Sequence, residues 1–181
     1  MRTAIVALAL MTSGATLPAQ TPSAGGSNPI STAIQSQWAT VRGYIQRSAE
    51  VMPEANYGFK PVDTVRSFGQ ILAHVAGANY VFCSAAKGEQ SPHEEADFEK
   101  TATTRAQIIK ALNESLVYCD GVYKSLTDRT AAEAIEMPFG MGKSSRGGAL
   151  MMNTGHVNEH YGNLVTYFRI RGMVPPSSQP R

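Results

Sequence analysis

Two histidines one helical turn apart mark the segment of this sequence that could bind a metal ion. His156 and His160 stand four residues apart in "TGHVNEHYGN", a spacing that places two imidazoles on one face of a helix. His74 lies in the apolar segment "ILAHVAGANY", which predicts a second helix with His74 at the edge of its buried face. Facing helices of a bundle often supply the ligands of one metal site. The alternative is that the three histidines are buried and only hydrogen-bonded.

The candidate ligand of this site is a divalent metal ion. Three neutral imidazoles suit Zn²⁺ or Ni²⁺, and also Fe²⁺ or Co²⁺, and they leave a coordination position open for water or a substrate. An open position is typical of catalytic sites, where the metal polarises a bound group or lowers the pKa of a bound water. The sequence does not select among these metals.

Glu159 is the candidate catalytic residue. The pattern His156-x-x-Glu159-His160 has the form of a protease motif in which the glutamate is the general base. That class also needs a carboxylate ligand further along the chain, and neither Asp nor Glu follows His160. Glu159 is therefore either a base beside the metal or the ion-pair partner of an arginine such as Arg66, and the pairing is favoured.

Further polar residues share the stripe of the two histidines. Counting in threes and fours from His156 and His160 reaches Asn153, Asn163 and Tyr167. These side chains could contact the ligands or a substrate, or they could satisfy one another in the core.

Four amphipathic segments supply the helices that would position these residues. We predict them at about residues 29–51, 67–87, 104–126 and 148–171. Asn28 is expected to cap the first helix, and Ser67 with Gln70 forms a capping box at the start of the second. The acidic segment "EQSPHEEADFEK" reads as an irregular loop in which His93 is exposed. No convincing strands alternate with these helices, so the predicted fold is an all-α four-helix bundle.

The cysteines depend on how the second and third helices run. The connection of about sixteen residues between them can span a helix of about 30 Å, so the two helices could be parallel through a crossover. In that arrangement Cys83 and Cys119 lie at similar heights and could form a disulfide. An antiparallel arrangement with a tight turn would keep them apart. The parallel arrangement is favoured.

The start of the chain has the layout of a secretory signal peptide. "MRTAIVALALMTSGATLPAQ" contains a basic residue, a short apolar run and then small residues. We predict a signal peptide at residues 1–19, a flexible linker at 20–28, the bundle at 29–176 and a disordered tail at 177–181. The mature protein is expected to be periplasmic or secreted and to have no membrane anchor. An oxidising compartment would permit the disulfide.

The overall charge identifies no partner, and a small-molecule substrate of unknown identity is expected for the candidate site. Sixteen basic residues against fourteen acidic ones give a net charge of +2, and no basic stripe is present, so nucleic-acid binding is not expected. A homodimer is compatible with the sequence but is not specified by it.

The segments "PVDTVRSFGQILAHVAGANYVFC" and "TGHVNEHYGNLVTYFRIRGMVPP" together resemble the DinB superfamily. The resemblance implies a four-helix bundle with an up-down-down-up course, in which helices two and three are parallel. It also implies a metal held by three histidines, at positions that match His74, His156 and His160. Some relatives are transferases or isomerases that use thiols such as mycothiol or bacillithiol. Those thiols are cytoplasmic, and the predicted export of this chain argues against their use.

These observations predict an exported metal-dependent enzyme that hydrolyses a small molecule. Water is the abundant nucleophile outside the cytoplasm, which makes hydrolysis the default for an open metal site. Two alternatives stay open. One is a metal-binding or scaffold bundle without activity, and the other is a thiol-dependent transferase.

Overall fold

The computed structural model describes residues 27–179, and four long helices in this range form a bundle. The predicted signal peptide and most of the predicted linker lie outside the described residues. The helices are α1 (Pro29–Val51), α2 (Phe68–Lys87), α3 (Asp97–Thr101), α4 (Arg105–Ser125), α5 (Asp128–Ala131) and α6 (Arg146–Ile170). The strands β1 (Ala134–Glu136) and β2 (Lys143–Ser145) form an antiparallel hairpin. Of the helices in residues 27–179, none has the length and hydropathy needed to cross a membrane.

Contacts between the long helices establish the order and direction of the bundle. Pairs between α2 and α4 keep a nearly constant offset along the chain, which identifies parallel helices; they are Asn79–Ser115, Cys83–Cys119 and Ser84–Tyr118. Between α2 and α6 the order reverses, since Phe68 contacts Phe168 whereas His74 contacts His156. The predicted parallel pair is therefore confirmed, and with it the predicted four-helix bundle.

Cys83 and Cys119 form the disulfide that the parallel arrangement permits. Their Cα atoms are 5.6 Å apart, and both residues are fully buried between α2 and α4. The Nδ2 of Asn153 on α6 lies 3.7 Å and 3.8 Å from the two sulfur atoms and 3.3 Å from the Tyr123 hydroxyl. Asn153 therefore belongs to the core beside the disulfide.

An aromatic pair joins α1 to α4 in the same layer of the core. The rings of Trp38 and Tyr123 are stacked with centroids 4.4 Å apart and an interplanar angle of 7°. The indole N–H of Trp38 donates to Asp120 at 2.8 Å, so this buried polar group has a partner.

The ends of the helices follow local capping rules with one exception. The capping box of Ser67 and Gln70 and the left-handed Gly88 after α2 agree with the prediction. Asn28 was expected to cap α1, but its side chain accepts a bond from the Asp128 N–H instead. The Asp128 carboxylate accepts from the backbone N–H groups of Ile30 at 3.3 Å and Ser31 at 2.7 Å. The start of α1 is thus capped from α5, a long-range contact that local sequence does not encode.

Several short elements were not predicted. The helices α3 and α5 are single turns, and the hairpin lies in the connection between α5 and α6. α6 begins earlier than predicted because Ser145 caps it, accepting from the Gly148 N–H at 3.1 Å. Residues 177–179, assigned to a disordered tail, instead contact the bundle. The Ser177 N–H donates to Tyr161 at 2.7 Å, and Arg47 donates to the Gln179 side chain at 2.6 Å.

Candidate metal centre

The three predicted histidines converge in one place between α2 and α6. The Nε2 atom of His156 lies 3.1 Å from the Nε2 of His74 and 3.1 Å from the Nε2 of His160. All three ligand atoms lie within 4.8 Å of one another. His74 and His160 are buried, and His156 is half-buried. The structure therefore brings together the residues that the helical spacing had singled out.

The arrangement of these nitrogen atoms fits a metal ion better than a set of hydrogen bonds. Ligands about 2.0–2.1 Å from a tetrahedral ion are separated by about 3.3 Å, close to the observed spacing. A neutral imidazole has one N–H, so protons alone do not satisfy three Nε2 atoms that face one another. A divalent cation would give all three lone pairs a common partner.

The local electrostatics keep the three imidazoles neutral near pH 7. Burial is the main cause that lowers the pKa of His74, His156 and His160 from 6.5 to about 4 in each case. The positive charge of Arg66 and the neighbouring imidazoles lower these pKa values further. Neutral imidazoles are the form that binds metals, so the site is ready to bind a metal at neutral pH.

Two carboxylates that the sequence had assigned to an irregular loop lie beside His74. Glu99 Oε1 is 3.2 Å from His74 Nδ1, and Glu95 Oε1 is 3.7 Å from His74 Nε2. Burial raises the pKa of the Glu95 carboxyl; the Arg66 charge opposes this shift and the Glu99 charge adds to it. Glu95 precedes α3 whereas Glu99 lies on it, so no helical spacing in the sequence singled out this pair.

Arg66 pairs with Glu99 rather than with Glu159. Its Nε and one terminal nitrogen lie 3.0 Å and 3.2 Å from the two Glu99 oxygens, as in a bidentate ion pair. The predicted Arg66–Glu159 pair is therefore wrong, because the crossover between α2 and α4, residues 88–104, brings Glu99 to Arg66. Glu159 is exposed at the edge of the site, where its negative charge raises the pKa of His156 against the effect of burial. Its role as a base stays a prediction.

An open cleft of about 750 Å³ adjoins the histidines on the side of His160. Glu159, Asn163 and Tyr167 of α6 form one wall, and Lys60 and Arg66 contribute to the opposite wall. Asn163 lies 3.4 Å from His160 Nδ1, and the Tyr167 hydroxyl donates to the Arg66 carbonyl at 2.6 Å. Asn163 and Tyr167 thus lie at the site, whereas Asn153, predicted on the same stripe, lies in the core. A polar cleft of this size can admit a small molecule.

The crossover between α2 and α4 is packed tightly against α2. The His93 ring, expected to be exposed, is half-buried, with centroids 4.7 Å from both Tyr80 and Phe98. Gly77 makes room for the chain, since a Cβ atom there would lie 2.0 Å from the Glu95 carbonyl oxygen. His93 therefore helps to hold the crossover in place, away from the three ligand nitrogens.

Comparison with known proteins places this geometry in a family. A family model of the DinB superfamily matches residues 37–164. The uncharacterized protein YjoA of Bacillus subtilis (strain 168) is 26% identical over 141 residues, which are 77% of this chain and 89% of YjoA.

Solved structures share the fold at lower identity. YfiT from Bacillus subtilis, described as a probable metal-dependent hydrolase with an unusual four-helix bundle topology, superposes with a TM-score of 0.62 and 16% identity, over 84% of this chain and 94% of YfiT. A mycothiol-dependent maleylpyruvate isomerase gives a TM-score of 0.62 and 14% identity over 74% of this chain, which spans only 60% of the isomerase. The family model reaches from α1 into α6 and so includes all three histidines, and the chain belongs to the DinB superfamily.

Proposed function

We propose that this protein is a metal-dependent hydrolase that binds one divalent cation through His74, His156 and His160. The observation that carries the proposal is the convergence of the three Nε2 atoms beside an open polar cleft. Zn²⁺ or Ni²⁺ is the preferred ion and Fe²⁺ or Co²⁺ the next choice. All four ions accept imidazole nitrogen as a ligand. The substrate is a small molecule that the cleft can hold.

Each residue of the site has a separate role in such a reaction. A bound divalent ion supplies Lewis-acid polarisation and an acidified water. The three imidazoles hold the ion, and their neutral state at pH 7 keeps their lone pairs available. Glu159, at the edge of the cleft, accepts or returns a proton at its carboxylate. The Lys60 ammonium and the Asn163 amide offer hydrogen bonds that would orient the substrate.

A thiol-dependent transferase is the second candidate function. The likeness to a mycothiol-dependent isomerase supports it, at 14% identity. Both cysteines of this chain are joined in a disulfide, which is typical of oxidising compartments, where mycothiol-type cofactors are not expected. The disulfide, together with the predicted signal peptide at residues 1–19, supports export to the periplasm or the medium and favours the hydrolase.

Metal content is the first test of the proposal. The protein would be purified without an affinity tag and analysed by mass spectrometry beside the variants His74→Ala and His156→Ala, with Lys110→Ala at an exposed position of α4 as a control. We expect about one equivalent of a single divalent metal in the wild type and the control, and a loss in both site variants. A wild type that takes up neither Zn²⁺ nor Ni²⁺ would overturn the metal site.

Substrate screening then separates the two functions. Hydrolase panels and thiol-transfer panels would be run on the loaded wild type and on Glu159→Gln. Hydrolysis that falls by about 100-fold in Glu159→Gln would support the assigned base. Activity that appears only when a low-molecular-weight thiol is added would favour the transferase. A loaded protein without activity in either panel would favour a scaffold that binds metal.

A further inference from the structure

We infer that Glu99 is a positioning residue that orients His74 through its Nδ1 atom, and that Arg66 and Tyr167 hold Glu99 in place for this role. The inference rests on the proposed metal site, because it concerns the residue that prepares one ligand of that site. It assigns a function to the crossover segment, which otherwise only joins α2 to α4. The supporting contacts form a chain from α6 to α2.

The first step concerns the tautomer of His74. A neutral imidazole carries its proton on one nitrogen, and a metal binds the other nitrogen. Glu99 Oε1 lies 3.2 Å from Nδ1, closer than Glu95 Oε1 lies to Nε2 at 3.7 Å, so the nearer carboxylate favours the proton on Nδ1 and leaves the Nε2 lone pair for a metal. The contact is not a full hydrogen bond, since His74 Nδ1 has no hydrogen-bond partner among the described residues. Such contacts often tighten when a site is loaded.

The second step concerns what holds the Glu99 carboxylate. Arg66 binds both of its oxygens, at 3.0 Å and 3.2 Å, and this fixes the plane of the carboxylate. The Arg66 backbone is held in turn by the Tyr167 hydroxyl, which donates to its carbonyl at 2.6 Å. Tyr167 lies on α6, the helix that carries His156 and His160. These contacts, from Tyr167 through Arg66 and Glu99 to His74, therefore link the orientation of His74 to the helix that supplies the other two ligands.

The third step concerns the backbone around Glu99. The adjacent residue Phe98 packs its ring against His93, and the preceding turn lies directly on Gly77 of α2. Glu95 and Glu99 are thus presented by a segment with little room to shift. A carboxylate on such a segment can hold an imidazole more precisely than one on a loose loop.

The other two ligands lack an equivalent contact among the described residues. His156 Nδ1, like His74 Nδ1, lacks a full hydrogen bond, and no carboxylate of residues 27–179 pairs with it; His160 Nδ1 lies 3.4 Å from the neutral amide of Asn163. His74 is the ligand of this set that a carboxylate touches at Nδ1. Loss of that carboxylate should therefore affect metal binding through His74 alone.

The test compares Glu99→Gln and Glu99→Leu with Glu94→Gln, a matched control at an exposed residue of the same segment. The tautomer of His74 would be read by long-range ¹H–¹⁵N NMR after chelator treatment, and Zn²⁺ affinity by competition with a chromophoric chelator. In the wild type we expect the proton on Nδ1. In Glu99→Leu we expect a shift of the proton toward Nε2 and Zn²⁺ affinity about 10–100-fold weaker. Glu99→Gln should fall between the wild type and Glu99→Leu, because its amide oxygen still accepts a hydrogen bond from Nδ1 but attracts Arg66 less.

The outcomes separate this inference from the proposed metal site. An unchanged His74 tautomer in Glu99→Leu, or a Zn²⁺ affinity within about two-fold of the wild type, would overturn the role of Glu99. If Glu99→Leu does not fold, as judged by circular dichroism, the same two criteria apply to Glu99→Gln. If the wild type binds no metal at all, the proposed function fails, and the NMR comparison alone then decides whether Glu99 orients His74.

Discussion

The substitution Gly77→Ala should weaken metal binding although Gly77 contacts no ligand nitrogen. The new Cβ would lie 2.0 Å from the Glu95 carbonyl oxygen and 2.7 Å from its carbonyl carbon, and both of these are backbone atoms. An ordinary contact needs at least 3.4 Å, so the crossover must move by about 1.4 Å or α2 must yield. Glu99 Oε1 lies 3.2 Å from His74 Nδ1, and a shift of this size would separate the carboxylate from the ring nitrogen.

The free energy of unfolding should change less than the metal affinity. Overpacking of this kind costs about 1–3 kcal/mol, and replacing Gly by Ala in a helix returns about 1 kcal/mol. We expect a net loss of stability of about 0–2 kcal/mol and a Zn²⁺ affinity at least about 10-fold weaker. Urea unfolding of chelator-treated protein and chelator competition would measure the two quantities.

The matched control is Gly121→Ala on α4, where a Cβ would meet nothing within 4 Å. This variant should gain up to about 1 kcal/mol in stability and bind Zn²⁺ like the wild type. If Gly77→Ala also binds Zn²⁺ like the wild type, the close packing of the crossover does not position Glu99, and the reasoning above is refuted.

Three further predictions follow from the fold and the site. Replacing both Cys83 and Cys119 by Ser should lower the free energy of unfolding by about 3–4 kcal/mol, because the bond closes a loop with a sequence separation of 36; equal urea midpoints for variant and oxidised wild type would contradict this. In chelator-treated protein, stability should fall as pH decreases from about 6.5 to about 4, since the three histidines have folded pKa values of about 4 and the unfolded chain binds more protons in this window. In a variant with His74, His156 and His160 all changed to Gln, the free energy of unfolding should depend much less on pH when measured at pH 7, 6 and 5. An equal pH dependence in the variant and the wild type would refute the assignment of this effect to the three histidines. Asp128→Ala should lower the melting temperature and increase hydrogen exchange at the start of α1, because two N–H groups lose their acceptor, whereas Asp63→Ala should change neither.

The sequence predicted the four long helices and the three histidines because both depend on local spacing. Apolar residues at intervals of three and four define the helices, and the same interval places His156 beside His160. The parallel course of α2 and α4 was favoured by the length of the connection and by the similar positions of Cys83 and Cys119 along their helices, which can both be counted in the sequence. The helices and the His156–His160 pair need no knowledge of which segments meet in space, whereas joining His74 to that pair relied on the bundle fold and on the family resemblance.

The remaining features depend on contacts between distant segments. Asp128 caps α1 from about a hundred residues away, so the local preference for Asn28 was misleading. Arg66 pairs with Glu99 and not with Glu159, because the crossover folds back over α2. The spacing of apolar residues in the sequence does not encode the course of that connection. The acidic composition of the segment "EQSPHEEADFEK" indicated a solvated loop, although two of its glutamates lie beside His74.

The stacked pair of Trp38 and Tyr123 gives this protein a built-in optical probe. Trp38 is the single tryptophan of the chain and is only 3% exposed, so its emission arises from one apolar environment. Its partner Tyr123 reaches Asn153, which faces the disulfide, and Asn153 lies one turn before His156 on α6. Fluorescence of the unmodified protein should therefore register disruption of the layer that joins α1, α4 and α6. The fluorescence of Trp38 should then report metal binding, reduction of the disulfide and unfolding without an attached dye.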